Sequence, residues 1–114
     1  PFDTGDEPWG VAVHPSGKFL YVANNNDANV SVYEIDSTTG ELTEIDGSPF
    51  DAGTDPDSIA VGPSGRFLYV ANYGDADVSA YAIDRDTGVL TELDDSTFAS
   101  ESNSYALTIA RIAQ

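Results

Sequence analysis

The strongest constraint in this sequence is a long internal repeat. When the chain is aligned with itself after a shift of 48 positions, residues 8–55 match residues 56–103 without a gap, and 27 of the 48 pairs are identical. Two copies this similar are expected to adopt the same fold, and each must bury its apolar residues against a neighbour. Apolar residues do not recur every three or four positions, so the pattern does not indicate a helical repeat.

Each copy contains a tight turn followed by a run that favours a strand. The turn is Pro-Ser-Gly at residues 15–17 and again at residues 63–65, where Pro presets φ and Gly tolerates a positive φ. After one basic residue, both copies continue with Phe-Leu-Tyr-Val-Ala-Asn, which is rich in aromatic and aliphatic side chains. Because bulk points to both faces, we expect this strand inside a packed sheet rather than at a wet edge.

Four strands are predicted in each copy, and together they indicate the blades of a β-propeller. The predicted strands cover residues 10–14, 18–24, 29–36 and 41–46 in the first copy and residues 58–62, 66–72, 77–84 and 89–94 in the second. A period of about 40 to 50 residues with four antiparallel strands is typical of propeller blades. The predicted fold class is therefore all-β, with two four-stranded antiparallel blades plus one extra inner strand, as part of a larger or assembled propeller.

The repeat also predicts the boundaries of these units. Residues 1–7 match the end of an inter-blade loop, residues 8–55 and 56–103 form two blades, and residues 104–114 form the inner strand of a further blade. The chain ends where the next turn would be, which we interpret as a carboxyl terminus on an inner strand. Known propellers need about four to eight blades to close. The expected partners are therefore other propeller blades, from the parent chain or from further copies.

The charge of the chain disfavours some classes of partner. The sequence has 20 Asp and Glu against 4 Lys and Arg, a net charge of −16, whereas nucleic acids and anionic membranes both need a basic face. No apolar run approaches about 18 residues, so no membrane span is expected, and there is no Cys to form a disulfide or a thiolate metal site. The acidic residues form either a solvated, salt-adapted surface or a face that meets a cation, a glycan or a basic protein.

The segment Pro-Ser-Gly-Lys-Phe-Leu-Tyr-Val-Ala-Asn at residues 15–24, followed by Val-Ser-Val-Tyr-Glu-Ile-Asp and then Gly-Ser-Pro-Phe, resembles the lactonase-type seven-bladed β-propeller family and the related YVTN-repeat proteins. The resemblance covers nearly the whole chain. It implies a parent of about 340 residues, with an activity like that of 6-phosphogluconolactonase or carboxymuconate cycloisomerase, or a surface scaffold without chemistry. A lactonase-like site would lie over the central channel and use His, Glu and Arg from several blades.

Two residues are candidates for catalysis. His14 is the only histidine and ends the first inner strand, where it could act as a general base; the alternative is a strand cap, because Gly62 occupies the matching position. Arg111 lies at the end of a strand expected to line the channel, where it could receive a carboxylate or a phosphate. Its alternatives are pairing with a nearby Asp and exposure to solvent. No local constellation of nucleophile, base and orienting group accompanies either residue, so no catalytic residue is assigned.

The loops that join the second and third strands are rich in oxygen donors, and in a propeller they share a face with the loop between blades. The candidate ligands in these loops are Asp27, Asp55, Asp75 and Asp77. Side chains of this kind could bind Ca²⁺, which takes about six to eight oxygen ligands. The spacing is not that of an EF-hand, however, and tight turns also need Asn, Asp and Gly. No metal site or cofactor is therefore assigned, and Ca²⁺ stays an alternative.

Three aromatic residues lie near the entrances of the predicted blades. Trp9, Tyr73 and Tyr105 could stack on a sugar or a peptide. Asp57 occupies the position of Trp9 in the second copy, so the repeat predicts no regular ring of aromatic side chains. Packing between blades is the alternative role.

Three functions remain open at this level. The favoured one is a non-catalytic scaffold or binding module, in an extracytoplasmic or secreted location, whose acidic loop face meets its partner. The first alternative is part of a lactone hydrolase like 6-phosphogluconolactonase, whose site is completed by blades outside this sequence and whose location would be cytoplasmic. The second is a subunit of a ring or filament that assembles through the C-terminal strand, since an unpaired strand end invites pairing.

Overall fold

The computed structural model describes residues 3–93 and the backbone of residues 98 and 99, and in this part of the chain all regular structure is β. The strands are β1 (Pro8–Val13), β2 (Phe19–Asn24), β3 (Asn29–Ile35), β4 (Leu42–Glu44), β5 (Phe50–Asp51), β6 (Pro56–Val61), β7 (Phe67–Asn72), β8 (Asp77–Ile83), β9 (Leu90–Glu92) and β10 (Phe98–Ala99). A search of these residues finds no helix with the length and apolar character needed to cross a membrane. The inner strand predicted at residues 104–114 lies outside the described residues.

The strands form two antiparallel sheets with the same topology. The first sheet has the order β1, β2, β3, and β4 and β5 pair one after the other along the outer edge of β3. The second sheet repeats this order with β6, β7, β8, β9 and β10. The register repeats as well: Val11 lies opposite Val22, and at the equivalent positions of the second copy Ile59 lies opposite Val70. The prediction of two antiparallel blades is confirmed.

The outer strand of the first sheet is interrupted, which the sequence did not predict. Residues 41–46 were expected to form one strand, but β4 ends at Glu44 and β5 resumes the pairing at Phe50. Between them the hydroxyl of Ser48 accepts the backbone N–H of Val32 at 2.9 Å, and the N–H of Ile45 donates to the carbonyl of Val32 at 3.0 Å. The side chain of Ser48 therefore replaces a ladder hydrogen bond where the chain bulges outward.

One face of the first sheet packs on one face of the second and forms the main core. Its buried side chains are Phe19, Tyr21, Val30 and Val32 from the first sheet and Leu68, Val70, Tyr81, Ile83 and Leu90 from the second. The innermost strands approach most closely at Gly10, where an added Cβ would lie 2.6 Å from the carbonyl oxygen of Asp57. Only Gly permits this approach of the two backbones.

Each sheet exposes apolar side chains on the face that points away from the other sheet. Residues directly opposite each other in an antiparallel pair point to the same face, so Val11 and Val22 share the face of the first sheet that points away from the second. Val11 is 63% exposed, whereas its repeat equivalent Ile59 is half-buried against the first sheet. At the other flank Phe67 is 37% exposed, whereas its equivalent Phe19 is buried. Each sheet therefore presents an apolar face suited to a further blade.

Candidate functional site

The loops at one end of the strands form a continuous surface, which we term the loop face: residues 3–7, 25–28, 52–55 and 73–76. Backbone hydrogen bonds join them, since the N–H of Asn25 donates to the carbonyl of Glu7 at 2.8 Å and that of Tyr73 donates to the carbonyl of Asp55 at 2.9 Å. The side chain of Asn25 also reaches the second sheet, where its amide donates to the carboxylate of Asp57 at 2.7 Å. The structure thus brings together the loops in which oxygen donors were predicted.

The Asp side chains of the loop face bind backbone amides. The carboxylate of Asp27 accepts the N–H of Asp6 at 2.7 Å, and at the equivalent positions of the second copy the carboxylate of Asp75 accepts the N–H of Thr54 at 2.8 Å. The carboxylate of Asp77 accepts from the side-chain amide of Asn72 at 2.9 Å. A carboxylate that accepts N–H groups holds its loop in one conformation.

Ca²⁺ binding at these residues stays a prediction. Asp55 has a left-handed backbone with φ of 53°, as does Glu7 at the matching position with φ of 54°. Such conformations are typical of tight turns, in which Asp is favoured. Within residues 3–93 no three His, Cys, Asp or Glu side chains are grouped so that they could hold a metal ion.

A buried polar network centred on an Asn lies beside the loop face in each sheet, and in the second sheet it also bonds a loop. Apart from Asp77, its residues were not among the predicted site residues. The side-chain amide of Asn72 donates to Asp77 and to the hydroxyl of Ser79, each at 2.9 Å, and its oxygen accepts the N–H of Gly53 at 3.1 Å. An added Cβ on Gly53 would lie 2.6 Å from the side chain of Asn72. The first sheet repeats the two donated bonds from Asn24. The recurrence of Asn after Tyr-Val-Ala was the signal in the sequence.

Two of the three predicted aromatic residues lie on or beside the loop face. Trp9 is the second residue of β1, the innermost strand of the first sheet, and its side chain is 63% exposed. Tyr73 begins the loop after β7 and is 47% exposed. Tyr105 lies outside the described residues. An exposed aromatic ring can stack on the apolar face of a sugar ring.

His14 lies at the opposite end of the strands, in the turn after β1, and is buried. Its Nε2 lies 2.8 Å from the carbonyl oxygen of Gly65, and its Nδ1 lies 2.8 Å from the hydroxyl and 3.0 Å from the backbone nitrogen of Ser16. Because a carbonyl only accepts, Nε2 carries the proton and Nδ1 accepts from Ser16. The ring also meets Phe19 edge-on, with centroids 6.1 Å apart. The structure therefore gives His14 a contact between the two sheets; Arg111 lies outside the described residues.

Two sheets that share one sequence pattern and one topology, and that pack face to face around short inner strands, are consecutive blades of a β-propeller. The chain belongs to the lactonase family of seven-bladed β-propellers, because the model of that family matches residues 2–106. This match confirms the resemblance that the sequence indicated.

The relatives include lactonases. A 6-phosphogluconolactonase of Pectobacterium carotovorum subsp. carotovorum (strain PC1) is 39% identical over 41 residues, which cover 36% of this chain and 12% of that protein. The structure of a candidate 6-phosphogluconolactonase from Bacteroides fragilis is 28% identical, with a TM-score of 0.73 over 84% of this chain and 26% of that chain. The periplasmic gluconolactonase PpgL of Pseudomonas aeruginosa is 26% identical, with a TM-score of 0.75 over 82% of this chain and 26% of that chain. This chain therefore spans about a quarter of the length of these solved structures.

Proposed function

We propose that this chain supplies two adjacent blades of an enzyme that hydrolyses a sugar-acid lactone of the gluconolactone or 6-phosphogluconolactone class. The observation that carries the proposal is the family match over residues 2–106. It is supported by two solved gluconolactonase-type structures, and these blades superpose on about a quarter of each of those proteins. At the level of sequence a lactone hydrolase was the first alternative to a non-catalytic scaffold, and the comparisons favour the lactone hydrolase.

Hydrolysis of a lactone needs three contributions from the protein. Water adds to the carbonyl carbon, the bond to the ring oxygen breaks, and that oxygen leaves as a hydroxyl after it takes a proton. A base must accept a proton from the water, a donor must stabilise the negative charge on the carbonyl oxygen, and an acid must protonate the leaving oxygen. The single His among residues 3–93 is His14, which bonds the turns at Ser16 and Gly65, at the end of the strands opposite the loop face. We therefore assign the base, the donor and the acid to other blades.

The two blades contribute binding surface to such a site. Trp9 and Tyr73 present exposed aromatic rings on or beside the loop face, where they would stack on the sugar portion of the substrate. Asn72 bonds the N–H of Gly53 and the side chains of Asp77 and Ser79, which would hold in place the loop that begins at Tyr73.

The test is an assay of the intact propeller that contains these blades, with gluconolactone and 6-phosphogluconolactone as substrates and acid release as the readout. We expect hydrolysis faster than the spontaneous rate. Trp9→Ala and Tyr73→Ala should lower kcat/KM by about tenfold, mainly through a higher KM, because they remove binding surface. The control is Thr43→Ala, on the exposed outer strand β4, which should leave kcat/KM unchanged. A rate equal to the spontaneous one with both lactones would overturn the proposal and favour the scaffold.

A further inference from the structure

A cleft crosses the junction of the two sheets at the end of the strands opposite the loop face. It has a volume of about 440 Å³ and is lined by the turn after β1 and by two turns of the second sheet. Its polar lining consists of His14, Ser16, Lys18, Ser64, Arg85 and Asp86. We propose that this cleft binds a small oxyanion, a phosphate or a carboxylate. The proposal does not depend on the lactonase activity, because the cleft and the loop face lie at opposite ends of the strands.

Basic residues are scarce in this chain and yet meet at the cleft. The sequence holds 4 Lys and Arg against 20 Asp and Glu, and those within residues 3–93 are Lys18, Arg66 and Arg85. Two of these three line the cleft, although they are 67 positions apart and belong to different sheets. In a chain with a net charge of −16, the lining of this cleft holds two cations against the one carboxylate of Asp86.

The lining also departs from the repeat at the positions that give the cleft its chemistry. His14 matches Gly62 in the other blade, Arg85 matches Ser37, and Asp86 matches Thr38. These residues come from different blades and different turns, and folding brings them into one cleft. The remaining polar positions follow the repeat, since Ser16 matches Ser64. The chemistry of this cleft therefore depends on positions at which the two blades differ.

The walls of the cleft are held in position before any ligand binds. The bond from His14 to the carbonyl of Gly65 at 2.8 Å ties the first turn of one sheet to the first turn of the other. The hydroxyl of Ser64 accepts the N–H of Arg66 at 3.3 Å, which leaves its own proton available to a ligand. A site whose walls do not need to be ordered loses less entropy when a ligand binds.

The lining indicates the chemistry of the ligand. Arg85 offers a planar fork that matches two oxygens of a carboxylate or phosphate, and Lys18 offers a compact charge. The carboxylate of Asp86 would repel an anion without a proton, but it can accept a hydrogen bond from a protonated oxygen of the ligand. A singly protonated phosphate and a hydroxy acid both combine these features, and the two sources are distinguished by titration with inorganic phosphate and with gluconate.

The experiment is a titration of the 114-residue chain with each anion at constant ionic strength. Binding is monitored through the NMR chemical shifts of the backbone amides. We expect saturable shifts at residues 16–18, 64–66 and 85–86 with a dissociation constant in the range of about 1–10 mM for at least one anion. Arg85→Ala and Lys18→Ala should each weaken binding by about tenfold, because each removes a charge-assisted hydrogen bond.

The matched control is Arg66→Ala, which removes a cation from the equivalent turn of the second sheet without changing the lining of the cleft. Thermal melting of each variant by circular dichroism confirms that it is folded as the parent is. The proposal is overturned if neither anion gives a saturable shift, or if Arg66→Ala weakens binding as much as Arg85→Ala. The second result would mean that the anion responds only to the overall charge.

Discussion

Three buried tyrosines of the blades differ in what their hydroxyl groups meet. The hydroxyl of Tyr33 donates to the carbonyl of Asp3, and that of Tyr81 donates to the carbonyl of Asp51, each at 2.7 Å. The hydroxyl of Tyr21 is buried in the core and has no hydrogen-bond partner among the residues that the structure describes. Burial alone raises the pKa of Tyr21 well above its ordinary value, so the group stays neutral. A buried polar group without a partner costs stability, and this cost can be measured.

Removing each hydroxyl should therefore have opposite effects. Tyr81→Phe should destabilise the protein by about 1 kcal/mol, because it leaves the carbonyl of Asp51 without that donor. Tyr21→Phe should be neutral or should stabilise by up to about 1 kcal/mol, because it removes an unsatisfied group and keeps the ring. Urea denaturation followed by circular dichroism gives both values. A larger loss for Tyr21→Phe than for Tyr81→Phe would show that the hydroxyl of Tyr21 has a partner, such as a bound water.

At the scale of elements, the contact between the turn of β1 and the turn before β7 should couple two residues energetically. Gly65 has φ of 74°, and an added Cβ would lie 2.8 Å from the ring of His14. We expect His14→Ala to cost about 1–3 kcal/mol through lost hydrogen bonds. Gly65→Ala should cost more with His14 present than in the His14→Ala background, where only the backbone strain remains. Additive losses in the double-mutant cycle, measured by urea denaturation, would contradict the contact.

The inner three strands of each blade could be predicted from the sequence, whereas parts of the outer edge and of the site could not. The run from Phe19 to Asn24 carries bulk on both faces and follows a turn, so local pattern suffices to place a buried strand. The segment β5 has only two residues, too few to show a period, and the break before it depends on the hydroxyl of Ser48. The role of His14 depends on a carbonyl 51 positions away, which no local pattern contains.

At the scale of the whole molecule, the net charge of −16 should make stability depend on salt. Repulsion among exposed carboxylates destabilises the compact state. The screening length falls from about 10 Å at 0.1 M to about 3 Å at 1 M ionic strength. We therefore expect the Tm to rise by several degrees between 0.1 and 1 M NaCl, where about 4–8 °C corresponds to about 1 kcal/mol for a domain of this size. A Tm that does not change with NaCl would mean that the acidic surface is not repulsive.

Equivalent residues of the two sheets differ in exposure, so the cost of a substitution should depend on which blade carries it. Phe19 is 1% exposed and its ring lies against the second sheet, where an added Cβ on Gly88 would be 2.8 Å away, whereas its equivalent Phe67 is 37% exposed. In this chain Phe19→Ala should cost about 3–5 kcal/mol, as for a core Phe, and Phe67→Ala should cost much less. Urea denaturation measures both losses. In an intact propeller a following blade would cover Phe67, so its cost should rise towards that of Phe19. Light scattering should first show that the isolated chain is a monomer. Equal costs of the two substitutions in that monomer would contradict the exposure of Phe67.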